Sequence, residues 1–113
     1  MKKVEAIIRP EKLEDIKEVL QTLHLNGLTI SQVMGCGNQK GWTEFVRGSE
    51  TDINFLPKVK IELVVQDAQL GEVLAAILEK AKTGEVGDGK IFVFAVEDAI
   101  RIRTGERGET ALR

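Results

Sequence analysis

Val4, Ala6 and Ile8 alternate with Lys3, Glu5 and Arg9, the period-two pattern of a strand with one face in a core. Pro10 stops it, having no N–H for a sheet ladder. Leu13, Ile16, Val19, Leu20 and Leu23 then recur at three- and four-residue steps, with Glu14, Asp15, Lys17 and Glu18 between them, which predicts an amphipathic helix. Asn26 and Gly27 are its expected stop. Leu28, Ile30 and Met34 alternate with Thr29, Ser31 and Val33 in a second strand that Gly35 and Gly37 end, and Val59, Ile61, Leu63 and Val65 make a third. Asp67 is the expected N-cap of a second helix striped with Leu70, Val73, Leu74, Ile77, Leu78 and Ala81 and ended by Gly84. Ile91 to Val96 is apolar on both faces and reads as a last strand.

The order β-α-β-β-α-β predicts an α+β, ferredoxin-like fold, an antiparallel sheet with both helices on one face. Val64 and the outward face of the last strand are then exposed unless another subunit covers them, so an oligomer is expected. The stretch from Gly37 to Pro57 is the anomaly, because a plain hairpin loop needs about two to five residues. It is read as a protruding loop, at about 37–57, of a single domain spanning 1–113. A chain of 113 residues is accounted for by one core. With 16 Lys and Arg against 18 Asp and Glu, no global charge draws it to nucleic acid or an anionic membrane. Cys36 is the only cysteine, which excludes an intrachain disulfide and a thiolate zinc set. No apolar run approaches the roughly 18 residues of a membrane span, and a cytoplasmic address is expected.

Gly87-Asp88-Gly89-Lys90 lies between a helix end and a strand. Glycines there let backbone N–H groups approach an anion and the lysine adds charge, although the same tetrapeptide also makes a plain turn. Arg101 and Arg103 alternate with Ile100 and Ile102, read as a strand with both guanidiniums on one side, either gripping a polyphosphate or solvated at an edge. Gly35-Cys36-Gly37 offers a second close backbone approach. No P-loop or nucleophile-elbow pattern is present, nor a Cys–His or carboxylate pair at a spacing that suggests a reaction. His24, the single histidine, falls at the end of the first helix, where surface or capping duty is expected. The chain reads as a binder and not an enzyme.

Five stretches carry a family resemblance: Arg9 to Leu13, Gly35 to Gly41, Leu56 to Glu62, Thr83 to Phe92 and Ile100 to Glu106. In this order and spacing they resemble the motifs of the PII nitrogen-regulatory signal transduction proteins, across essentially the whole chain. The resemblance implies a homotrimer with ATP or ADP in each of three inter-subunit clefts. Gly87, Asp88, Gly89 and Lys90 would hold phosphates, with Arg101 and Arg103 arriving from the neighbour. Thr29, Glu62 and Val64 would lie near adenine and ribose, while Gly35, Gly37, Asn38 and Gln39 approach the phosphates. Gln39 would also orient a Mg²⁺ shared by ATP and 2-oxoglutarate, with Lys40, Gly41 and Lys58 around the latter. Partners would read the loop through Arg47, Ser49 and Thr51. An Amt-type ammonium channel, which would recruit the protein to the membrane, and a nitrogen-regulatory transcription factor or enzyme are the partners implied.

Two positions depart from the family. Asn38 stands where members often carry an arginine, and Thr51 where many bacterial members carry a nucleotidylated tyrosine. Ser49 matches a position that some relatives phosphorylate. The rival from another class is an RNA-binding module of the same topology, since Lys90 to Phe94 resembles its aromatic strands. The aromatic-glycine signature of that class is absent and there is no tyrosine, so no direct contact with nucleic acid is expected.

Overall fold

The first strand, β1 (Lys2–Ile8), lies inside the sheet, and both its neighbours come from later in the chain. A computed structural model describes residues 1–25, 27–36 and 55–113. Its further elements are α1 (Leu13–Thr22), β2 (Thr29–Gly35), β3 (Leu56–Val65), α2 (Leu70–Ala81) and β4 (Lys90–Ala95), with short 3₁₀ turns at Pro10–Lys12, Asp67–Gln69 and Gly108–Leu112. The sheet order is β2-β3-β1-β4, and every pairing is antiparallel. Ala6 faces Ile61 on one side and Ile91 on the other.

Alternation decides which side is dry. Val4, Ala6, Ile8, Val59, Ile61, Leu63 and Val65 join Ile16 and Leu20 of α1 and Val73, Ile77 and Ala81 of α2 in one buried cluster. Both helices therefore cover the same face, as the split βαβ pattern predicts. Each of the larger side chains contributes about 1.5–3 kcal/mol on burial. Phe92 and Phe94 of β4 keep 47% and 44% of their surface exposed, as expected of an outward last strand, whereas Val64 is half-buried.

Four local readings are corrected. Helix α1 ends at Thr22, earlier than the Asn26-Gly27 stop; Asn26 lies outside the described residues. The left-handed residue is His24, at φ +61°. Leu25 N–H bonds back to Leu20 O at 3.0 Å and His24 N–H to Gln21 O at 2.9 Å, a Schellman cap in which Leu25 packs against the core. The capping role expected of His24 is thus a backbone one. Asp67 does not cap α2. It pairs with the α-amino group of Met1 at 3.1 Å and with Lys2 at 3.5 Å, while Gln69 Oε1 accepts the Gln66 N–H at 3.1 Å. On β2, Ile30 and Met34 share the helix-side register yet stay exposed, because β2 is an edge strand beyond the reach of the helices. β3 begins at Leu56, so Leu56 and Pro57 belong to the sheet and not to the expected loop.

Candidate functional site

Residues 82–89, joining α2 to β4, are organised by one carboxylate. Asp88 Oδ1 accepts from Arg9 Nε at 3.0 Å and from the Thr83 hydroxyl at 2.5 Å, while Oδ2 accepts the N–H groups of Thr83 at 2.8 Å and Gly84 at 2.9 Å. Four donors on one carboxylate hold its pKa far below the usual range, the Thr83 hydroxyl and N–H bonds being the largest causes, ahead of the Gly84 N–H and Arg9. The turn needs left-handed backbone at Gly84, Gly87 and Gly89, with φ of +92°, +102° and +101°. At Gly89 a Cβ would stand 1.7 Å from Ile7 O, so no side chain fits between the turn and β1.

Two cations tie this turn to the sheet. Arg9, at the end of β1, donates through Nη2 to Val86 O at 3.0 Å. Lys58 of β3 is buried, and its ammonium donates to Gly87 O at 2.5 Å, which answers the need of a buried charge for a partner. Its stem crosses Gly35, where a Cβ would lie 3.3 Å from Lys58 Cγ. Gly35 is thus accounted for locally by passage of the lysine.

Register puts the expected site residues that lie on strands, Thr29, Gly35, Lys58, Glu62, Val64 and Lys90, on the sheet side that the helices leave open. Thr29 is opposite Glu62 and Val33 opposite Lys58 on β2 and β3, Lys3 is opposite Val64, and Ile7 opposite Lys90. Along β2 the span from Thr29 to Gly35 is about 20 Å at 3.3 Å per residue. Thr29, Glu62 and Val64 line a cleft of about 630 Å³ with Lys3, His24 and the C-terminal Ala111 to Arg113. Gly87 to Lys90, with Lys58, lie at the other end of the same face. Between them runs a ladder of ion pairs, Lys3 to Glu62 at 3.5 Å and Lys60 to Glu5 and Glu62 at 3.6 Å each, with Lys3 Nζ also 4.6 Å above the Phe94 ring.

Arg101 and Arg103 do not lie on a strand. Ile100 makes a single bridge to Arg107, and residues 102–104 turn through Gly105 at φ +75°. Arg101 is engaged within its own chain, donating through Nη1 to Glu106 Oε1 at 2.6 Å and through Nη2 to the carbonyls of Thr110 and Arg113. Asp98 anchors the same hairpin by accepting from Arg107 Nε at 2.9 Å and from the N–H groups of Ala99 and Gly108. Hydrogen bonds, from the Arg107 side chain to Asp98 above all and from the Thr104 hydroxyl to Glu106 above all, hold both carboxyls below their ordinary pKa. The even spacing of Arg101 and Arg103 mimics a strand because Gly105 closes a turn immediately after them. Ile102 is fully exposed at its tip.

Gly37, Asn38, Gln39, Lys40, Gly41, Arg47, Ser49 and Thr51 lie outside the described residues, as does most of the expected loop at 37–57. Among the described residues no three His, Cys, Asp or Glu side chains gather as a metal site, and no helix is long and apolar enough to cross a membrane. The roles of Arg9 and Thr83 were missed by sequence reasoning. Only the position of Arg9, directly between strand and Pro10, could have marked it.

An antiparallel four-stranded sheet with two helices on one face and the other face left open defines a ferredoxin-like α+β protein. The family model for "Nitrogen regulatory protein P-II" matches residues 1–106, and the chain belongs to that family. Relatives of that name from Rhodospirillum rubrum and Pasteurella multocida are 56% and 54% identical over 112 residues, 99% of this chain and 100% of each relative. The crystal structure of Arabidopsis thaliana PII bound to citrate superposes with a TM-score of 0.81 at 42% identity, covering 99% of this chain and 89% of that one. The resemblance carried by the five motifs and the ferredoxin-like fold both hold, and nitrogen-regulatory signalling is the role the family gives.

Proposed function

We propose that the chain is a non-enzymatic, cytoplasmic sensor, a single domain assembling as a homotrimer that binds ATP or ADP, and 2-oxoglutarate with ATP and Mg²⁺, between subunits. The observation that supports this reading is the line of Thr29, Glu62, Val64, Gly35 and Lys58 along the open face, ending at the glycine turn 87–90. Adenine and ribose would lie toward the cleft at Thr29, and the phosphates toward Gly87, Gly89 and Lys90. Gly37, Asn38 and Gln39 would approach the phosphates from the loop root, and Arg103 with Arg101 from the adjoining subunit. Mg²⁺ would sit at Gln39, and 2-oxoglutarate between Gln39, Lys40, Gly41 and Lys58, whose ammonium would exchange Gly87 O for a carboxylate. The loop would present Arg47 to an Amt-type channel, or Ser49 and Thr51 to another nitrogen-regulatory partner, with Thr51 not nucleotidylated.

The RNA-binding alternative wants stacking aromatics at the centre of the open face. That centre carries Lys3, Glu5, Lys60 and Glu62, and the two phenylalanines stand on edge strand β4. Calorimetry with light scattering tests the proposal. A trimer is expected, with ATP and ADP competing and 2-oxoglutarate releasing heat only with ATP and Mg²⁺. A monomer, no nucleotide heat at millimolar ligand, or full ATP affinity in Lys90→Ala would overturn it.

A further inference from the structure

The Arg101 guanidinium is turned onto its own chain. Nη1 donates to Glu106 Oε1 at 2.6 Å, and Nη2 donates to two carbonyls further along, Thr110 O at 3.3 Å and Arg113 O. These belong to the 3₁₀ segment Gly108–Leu112 and the residue after it. Ala111 to Arg113 in turn form part of the wall of the 630 Å³ cleft, together with Thr29, Glu62 and Val64, and Ala111 and Leu112 are half-buried. Residues 108–113 are thus a strap along the cleft, and Arg101 is a tether that holds it.

A guanidinium has five N–H groups fixed in one plane. Only two of its edges offer a parallel pair, Nε with Nη2 and Nη1 with Nη2, so a two-pronged grip on phosphate always uses an Nη2 hydrogen. Nη2 has two hydrogens, and the strap supplies an acceptor for each. A phosphate gripped in this way therefore takes a donor from Thr110 or Arg113. Phosphate oxygens carry charge and peptide carbonyls do not, which decides the competition for phosphate. From this we infer that Arg101 is a latch: on engaging a nucleotide phosphate it lets go of the strap 108–113, so that nucleotide binding is reported at this segment as well as at the loop. The inference rests on the nucleotide reading above, in which Arg101 serves the phosphates of the adjoining subunit. The strap set free is that of the subunit lending the arginine.

The test is methyl NMR of Ala111 and Leu112 in the intact protein, with adenosine and with ATP, while calorimetry records binding. ATP is expected to narrow both methyl signals and move them toward disordered-chain positions. Adenosine has no phosphate and is expected to leave the strap ordered. Arg101→Lys replaces the fork by a single ammonium. Without nucleotide, its released strap population is expected to be about tenfold or more above wild type, the scale of lost hydrogen bonds from a charged group. Bound ATP with both methyls unmoved, adenosine releasing the strap as ATP does, or an Arg101→Lys strap as ordered as wild type would each sink the inference. Should Arg101→Lys not fold, Glu106→Gln removes the charge that orients Nη1, and nucleotide-free strap signals identical to wild type there count equally against it. A wild type that binds no nucleotide overturns the parent reading instead, so the two failures are distinct.

Discussion

The two faces of the sheet are made from the same strands by the same alternation, yet they are held in different ways. On the helix side Val4, Ala6, Ile8, Ile61 and Val65 are sealed against α1 and α2 with almost no exposed surface. On the open side Lys3, Glu5, Lys60 and Glu62 pair with one another in partial contact with water. Apolar burial is worth kilocalories per side chain, whereas an exposed ion pair is worth about 0–1 kcal/mol. The dry face thus fixes the fold, and the wet face is free to be chosen for what it meets.

Breaking the dry face has the largest expected effect. Ile61 is fully buried at the centre of β3, and Ile61→Ala is expected to cost about 2–5 kcal/mol, read as a lower urea midpoint.

The dry face was also the more legible. Its residues follow simple periods, so β1, β3 and both helices are predicted from alternation and three- and four-residue steps alone. β2 was less so, because Ile30 and Met34 keep the period of a buried face while edge position leaves them in water. The wet side escapes sequence reasoning for a different reason. Arg9 meets Asp88 across 79 positions, and no local pattern announces so distant a pair. Arg101 was visible as a charge, but its engagement by Glu106 and the C-terminal carbonyls depends on a turn at Gly105 that alternation hides.

Acid separates the two faces next. Asp88, Asp98 and Glu106 have pKa values held below their ordinary 3.8, 3.8 and 4.5, chiefly by hydrogen bonds from Thr83, Arg107 and Thr104 respectively. Folded values below unfolded ones mean that their contribution is complete above those ordinary values and is lost as pH falls through the depressed ones. Amide exchange is expected to rise first in residues 83–89 and 98–108 below pH 3.8, while β1 and β3 stay protected. Uniform loss of protection across the sheet would contradict the division.

The smallest effect is expected at Lys60. It pairs with Glu5 and Glu62 at 3.6 Å, and Lys60→Ala is expected to change stability by less than about 1 kcal/mol. A thermal melt giving a loss as large as that of Ile61→Ala would show that the ladder supports the fold itself.

The place of β1 also bears on how the chain is made. Lys2–Ile8 is synthesised before either of its partners, residues 56–65 and 90–95. An interior strand with both neighbours still unsynthesised keeps its two hydrogen-bonding edges open, and Val4, Ala6 and Ile8 stay in water until late in translation. Long-range pairing of this kind is slow and exposes unpaired edges meanwhile. This seven-residue strand therefore needs protection during synthesis, and closure of the sheet must wait until residues 90–95 have been made.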